Sequence, residues 1–140
     1  MKILLAVDGS EYTRRMLDYI AGHRDLFDGS HTYSALTVVP SVPPRVTSFI
    51  GRSTIDDYYR EQAEAVLAPV RERAVKNGWN LTASHLVGHA PELIARTANE
   101  GGYDMLVMGS HGHAPMASLV LGSVASRLLA HCTKPVLIVR

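Results

Sequence analysis

The sequence predicts an α/β fold, a parallel sheet with helices on both faces, and three observations carry that prediction. Short apolar runs alternate with longer segments of helical period along the whole chain. The runs "KILLAV", "DMLVMGS" and "KPVLIVR" are apolar at consecutive positions, as strands covered on both sides must be. Glycine or proline closes several of the segments, at Gly9, Pro40, Gly78 and Gly101-Gly102.

The elements follow in order. Lys2 to Val7 form the first strand, ending in "DGS". Met16, Leu17 and Ile20 then recur at helical spacing, with Asp8 or Ser10 available as the cap. His31 to Val39 form the second strand, closed by Pro40. The segment from Ser41 to Ser53 contains Pro43 and Pro44, shows no period and reads as a loop. A long helix follows, with Ile55, Tyr59, Ala63, Val66, Val70 and Ala74 on one stripe; Pro69 inside it removes a backbone donor and predicts a kink, and Gly78 ends it. "WNLTASHLVG" is the third strand. Pro91 suits the first turn of a short helix carrying Leu93, Ile94 and Ala98, stopped by Gly101 and Gly102. "DMLVMGS" is the fourth strand. A last helix buries Leu121, Val124, Ala125, Leu128 and Cys132, and "KPVLIVR" is the fifth strand. The 140 residues fit one domain spanning 1–140, with no internal repeat or linker.

Composition narrows the function. The chain is 46% hydrophobic and 19% charged, a globular balance, and its net charge of +1 gives no footprint for nucleic acid. A lone cysteine, Cys132, excludes an intramolecular disulfide framework and suits a reducing compartment. The apolar start is too short for a signal peptide core or a membrane span, so a cytoplasmic location with no membrane partner is expected.

Ligands of open α/β sheets bind beyond the carboxyl ends of the strands, where strand order reverses. Two segments with unusual chemistry lie at such ends: Asp8-Gly9-Ser10 after the first strand, and Gly109 to Gly112 after the fourth. With a 3-2-1-4-5 order they would face one crevice. Gly109 and Gly112 allow a close turn with outward amides, and Gly122-Ser123 opens the last helix, whose first N–H groups lack internal partners and attract phosphate. A purely structural turn is the competing reading of the same glycines. Neither a G-x-x-x-x-G-K-[ST] loop nor a G-x-G-x-x-G after the first strand is present, which sets aside two common nucleotide motifs. His111 and His113 form an H-x-H pair without Cys, Asp or Glu at ligand spacing, so no protein-held metal is expected.

At these residues the chain resembles the universal stress protein family, in its ATP-binding branch, whose motif G-x-x-G, nine residues, G-[ST] is met by Gly109, Gly112, Gly122 and Ser123. "ILLAVDGS", "YDMLVMGSHG", "GSVASRLL" and "KPVLIV" spread the resemblance over the whole chain. It implies a three-layer Rossmann-like sheet of order 3-2-1-4-5 that binds ATP, with Mg2+ carried by the phosphates. It places Ala6, Val7 and Asp8 near adenine and ribose, and Val38 with its backbone at the adenine edge. Met108, Gly109, His111 and Gly112 would line ribose and phosphates, and Gly122, Ser123, Val124 and Ala125 would hold the phosphate chain. It further implies a homodimer through the last strand, residues 134–140. His113 departs from the pattern, standing where many relatives carry lysine or arginine. The function expected is a stress-response or regulatory nucleotide binder. A slow ATPase or phosphotransferase and a nucleotide-free dimeric scaffold are the alternatives.

Overall fold

The computed structural model describes residues 1–114 and 120–140. Its elements are β1 (Lys2–Ala6), α1 (Glu11–Gly22), β2 (Thr32–Val39), α2 (Pro44–Thr47), α3 (Arg52–Asn77), β3 (Asn80–Val87), α4 (Ala90–Glu100), β4 (Met105–Gly109), α5 (Ser123–His131) and β5 (Val136–Val139). The strands form a five-stranded, all-parallel sheet of order β3-β2-β1-β4-β5.

Side chains alternate across the pleat, and each face collects its own core. Ile3, Leu5, Tyr33, Ala35 and Val107 turn to one face, where Met16, Leu17 and Ile20 of α1 and Ala63, Leu67, Val70 and Ala74 of α3 cover them. Leu4, Ala6, Leu36, Leu106 and Met108 turn to the other, against Ile94, Ala95 and Ala98 of α4 and Ala125 and Leu128 of α5. Both faces being buried explains the unbroken apolar runs of β1 and β4.

Three expectations need correction, and one open choice is resolved. The 41–53 segment is not structureless: α2 turns once from Pro44, and α3 already starts at Arg52. The backbone N–H of Val42 donates to the Tyr59 hydroxyl at 2.8 Å, so Tyr59 anchors this connection. Second, the buried row of α3 passes through Leu67 rather than Val66; the helix is one element with Pro69 inside it, as the sequence predicts. Third, Cys132 is not on the last helix, which ends at His131; it follows as the C-cap in extended backbone and is half-buried beside the α4–α5 core. Of the two cap candidates for α1, Ser10 is the one used: its hydroxyl accepts the Thr13 N–H, and Asp8 lies before it and acts otherwise.

Candidate functional site

The reversal of strand order lies between β1 and β4, and a cavity of about 260 Å3 opens at their carboxyl ends. All twelve residues singled out from the sequence line it. Ala6, Val7 and Asp8 come from the end of β1, Val38 from β2, Met108 and Gly109 from β4, His111 and Gly112 from the following turn, and Gly122, Ser123, Val124 and Ala125 from the start of α5. Sequence reasoning missed Thr13, Ala90, Ile94 and Ser110, which complete the wall with His113 and Ala114. Ala90 and Ile94 carry no chemical signal, because they read as ordinary apolar positions of α4. Thr13 was discoverable from its spacing to Asp8, as the contacts below show.

One wall is made of main chain. The N–H of Thr32 donates to Met1 O and that of Val7 to Leu36 O, whereas Gly88 N–H donates to Val39 O. Even-numbered residues of β2 therefore point their peptide groups at β1, and odd-numbered ones at β3. The paired register of β1 ends at Ala6 opposite Leu36, so the N–H and C=O of Val38 face the space beyond β1.

Asp8 sits at the floor. Its Oδ1 accepts the Ser10 N–H at 2.9 Å and the Thr13 hydroxyl at 2.9 Å, while the Asp8 N–H donates to Thr13 Oγ1 at 3.0 Å. These bonds fix the carboxylate on the first turn of α1. A Cβ built on Gly112 would lie 2.9 Å from Asp8 Oδ2, so the glycine lets the two segments meet.

The other two glycines have packing reasons. A Cβ on Gly109 would lie 2.7 Å from Tyr12 Cβ and 3.1 Å from its backbone, so this position brings β4 against α1. A Cβ on Gly122 would lie 3.1 Å from His111 Cα, and the Gly122 N–H donates to Ser110 O at 2.8 Å. The bland and the sharp readings of this motif thus coexist. Close packing needs Gly109 and Gly122, and the same packing delivers the α5 terminus to the cavity.

Helix α5 begins at Ser123 with Gly122 as a cap that has no side chain, so the N–H groups of Ser123, Val124 and Ala125 have no acceptor within the helix. The histidines are engaged. His111 Nδ1 and the buried Ser110 hydroxyl are 2.8 Å apart, and the His111 ring packs on Tyr12. His113 Nε2 donates to the Asp8 carbonyl at 2.7 Å, tying the turn after β4 to the end of β1. Because a carbonyl only accepts, the proton is on Nε2. Among the described residues no group of three His, Cys, Asp or Glu side chains is arranged to hold a metal.

Nearby cations face elsewhere. Arg15 bonds Glu11 at 3.0 Å and lies over the Tyr12 ring, and Arg14 also reaches Glu11. The Glu92 carboxyl on α4 is held below the usual carboxylate range by its own backbone N–H, by the His89 ring and by the Arg127 charge.

Residues 1–140, the whole chain, match the universal stress protein family. The chain belongs to that family. It is similar to a universal stress protein of Synechocystis, 32% identical over 139 residues, of which it spans 42% of the length and 99% of its own. A Bacillus subtilis universal stress protein is 29% identical over 150 residues, covering 99% of this chain and 98% of that one. The solved structure of protein MJ0577 from Methanocaldococcus jannaschii superposes with a TM-score of 0.81 at 26% identity, covering 99% of this chain and 94% of that one. Three further universal stress proteins share the fold and were solved with nucleotides: one from Archaeoglobus fulgidus with dAMP, one with cAMP and one from Arabidopsis thaliana with AMP. Their TM-scores are 0.70, 0.66 and 0.70, at 22%, 20% and 15% identity. They cover 100%, 100% and 99% of this chain, and 98%, 96% and 90% of their own. Among the described residues no helix is long and apolar enough to cross a membrane.

Proposed function

We propose that this chain binds an adenine nucleotide in the β1–β4 cavity and acts as a regulatory protein through that binding. The carrying observation is that the Val38 peptide, facing the gap beyond β1, and the first turn of α5 open onto one cavity. A flat heterocycle suits the first, and a phosphate suits the second. Family relatives solved with AMP, dAMP and cAMP support the reading.

ATP belongs to the proposed ligand class, and Mg2+ would enter with it. The cavity offers one carboxylate and hydroxyls, a poor resident site for a hard cation that prefers several oxygens, so the phosphates would supply most of its ligands. A homodimer through β5 is part of the proposal, since "VLIV" is an apolar edge strand with unpaired peptide groups. We place the protein in the cytoplasm.

Mass analysis of small molecules released from the purified protein tests this directly. Bound adenine nucleotide is expected. ADP accumulating after incubation with ATP would move the assignment to a slow ATPase, and an empty site that ignores every adenine nucleotide would move it to a scaffold. Gly112→Val is expected to abolish binding while far-UV circular dichroism is retained, because its side chain enters the space around Asp8. Unchanged affinity in the folded variant would refute the site.

A further inference from the structure

We infer that the turn between β2 and α3 docks on an anionic lipid surface, with Val46, Phe49 and Ile50 entering the headgroup boundary and Arg45 and Arg52 meeting the phosphates around them. The expectation of no membrane partner concerned spanning segments, and a surface contact needs none.

Val46, Phe49 and Ile50 stand at i, i+3 and i+4, so α2 and the bend that follows it present them on one side. All three are exposed, and Phe49 is 90% exposed. One exposed apolar side chain is ordinary on a protein surface, but three on a single turn form a patch. The turn is also held firmly at its base, where the Val42 N–H donates to the Tyr59 hydroxyl.

Within the turn the hydrogen-bond donors are already engaged. Pro43 and Pro44 carry no N–H. The N–H groups of Val46 and Thr47 donate to Pro43 O at 2.9 and 3.2 Å, and that of Ser48 donates to Pro44 O at 3.0 Å. Phe49 N–H reaches Val46 O at 3.2 Å, and Ile50 N–H reaches Thr47 O at 3.4 Å. Both hydroxyls fold back as well: Thr47 Oγ1 donates to Pro44 O at 2.8 Å, and Ser48 Oγ to Arg45 O at 2.9 Å. In water this closure gains little, because solvent satisfies the donors of an exposed turn. In an apolar boundary each unpaired donor is costly, so a tip closed in this way is suited to leaving water.

Charge selects lipid as the occupant. From Pro40 to Ile55 the sequence has no aspartate or glutamate, and its only charged residues are Arg45 and Arg52, both exposed. The first acids, Asp56 and Asp57, come in the next turn of α3, and Asp57 pairs with Arg60. An apolar, aromatic tip between two long cationic side chains matches a membrane surface, where hydrocarbon lies beneath a layer of phosphate. Each arginine can lay its stem along the boundary while its guanidinium stays at phosphate level.

Co-sedimentation of the full chain with extruded vesicles tests the inference. Binding to mixed phosphatidylglycerol–phosphatidylcholine vesicles is expected at low salt, with affinity about tenfold or more weaker on phosphatidylcholine alone. Phe49→Ser is expected to keep its far-UV circular dichroism and to lose about tenfold or more in vesicle affinity. The double variant Arg45→Gln, Arg52→Gln is expected to lose the preference for anionic vesicles. Phe49→Trp adds a depth reading over the constant background of the buried Trp79: blue-shifted emission, quenched by brominated lipid, only when anionic vesicles are present. No association at millimolar lipid, equal affinity for the two kinds of vesicle, or unchanged binding by Phe49→Ser would each overturn the inference. Emission of Phe49→Trp already blue-shifted without lipid would show the turn covered by a second copy and overturn it likewise. None of these outcomes bears on the nucleotide reading, because residues 45–52 do not line the cavity.

Discussion

A methyl group at Gly109 would meet Tyr12 within 2.7 Å, and one at Gly112 would meet only the tip of the Asp8 carboxylate. Two glycines three positions apart should therefore fail differently. Gly109→Ala is expected to lose about 1–3 kcal/mol of stability, because Tyr12 touches it through backbone as well as side chain and α1 must move. Urea unfolding measures this. Gly112→Ala should cost less stability and more ligand affinity, since the Asp8 side chain gives way first. At Thr13 the hydroxyl both donates to and accepts from Asp8, and the residue is buried. Thr13→Val strands the Asp8 N–H and leaves the carboxylate with the Ser10 N–H alone, and is expected to cost about 1–3 kcal/mol, with weaker nucleotide binding in a titration of the still-folded variant.

At the scale of elements, Pro69 interrupts the hydrogen-bond ladder of α3 on its exposed side. Pro69→Ala restores a donor and relieves a backbone clash, so it is expected to stabilise the protein by about 1–3 kcal/mol, read as a higher denaturation midpoint. This helix also shows what a sequence can carry. Its stripe at Ala63, Val70 and Ala74 was legible because burial repeats with the helical turn, but Val66 and Leu67 are neighbours of similar character and only the packing chooses Leu67. The single turn of α2 was not legible: four residues after Pro43 are too few to show a period. The floor of the site was legible at Asp8, Gly112, Gly122 and Ser123, where polar or missing side chains interrupt apolar patterns. The α4 wall was not, because Ala90 and Ile94 look the same whether they face a core or a ligand.

The whole molecule is a sheet with two separate cores, and the one beneath α1 and α3 contains an ionisable group. Tyr33 is 1% exposed, and burial, aided by the Asp28 charge, pushes its hydroxyl up to about 12. The hydroxyl donates to Asp28 O at 2.9 Å. In the unfolded chain the group titrates near pH 10, so between about pH 10 and 12 the native state holds the proton more firmly. Its contribution is complete below pH 10 and is lost as pH rises to 12, amounting to about 3 kcal/mol. Denaturation at pH 9 and pH 11.5 should show this alkaline loss, and Tyr33→Phe should be less stable at pH 9 but lack that part of the decline. At the sheet's rim, Pro135 and Val139 turn their carbonyls to β4, so Val136 and Ile138 point their peptides outward. Ile138→Pro removes an outward donor without cutting the β4 ladder, and under the proposed pairing through β5 light scattering is expected to report a dimer for the parent chain and a monomer for the variant.

The first strand stops short of its neighbour, and this has a consequence for base choice. At the exposed Val38 peptide, one hydrogen donor and one acceptor stand side by side on a rigid strand. Adenine answers with a ring nitrogen beside an amino group. Hypoxanthine and guanine present the opposite polarity there, a ring N–H beside a keto oxygen, and would set donor against donor. A pocket that reads bases through its own backbone in this way should reject inosine and guanosine nucleotides by about 100-fold or more, and no side-chain substitution would relax that preference without moving the strand.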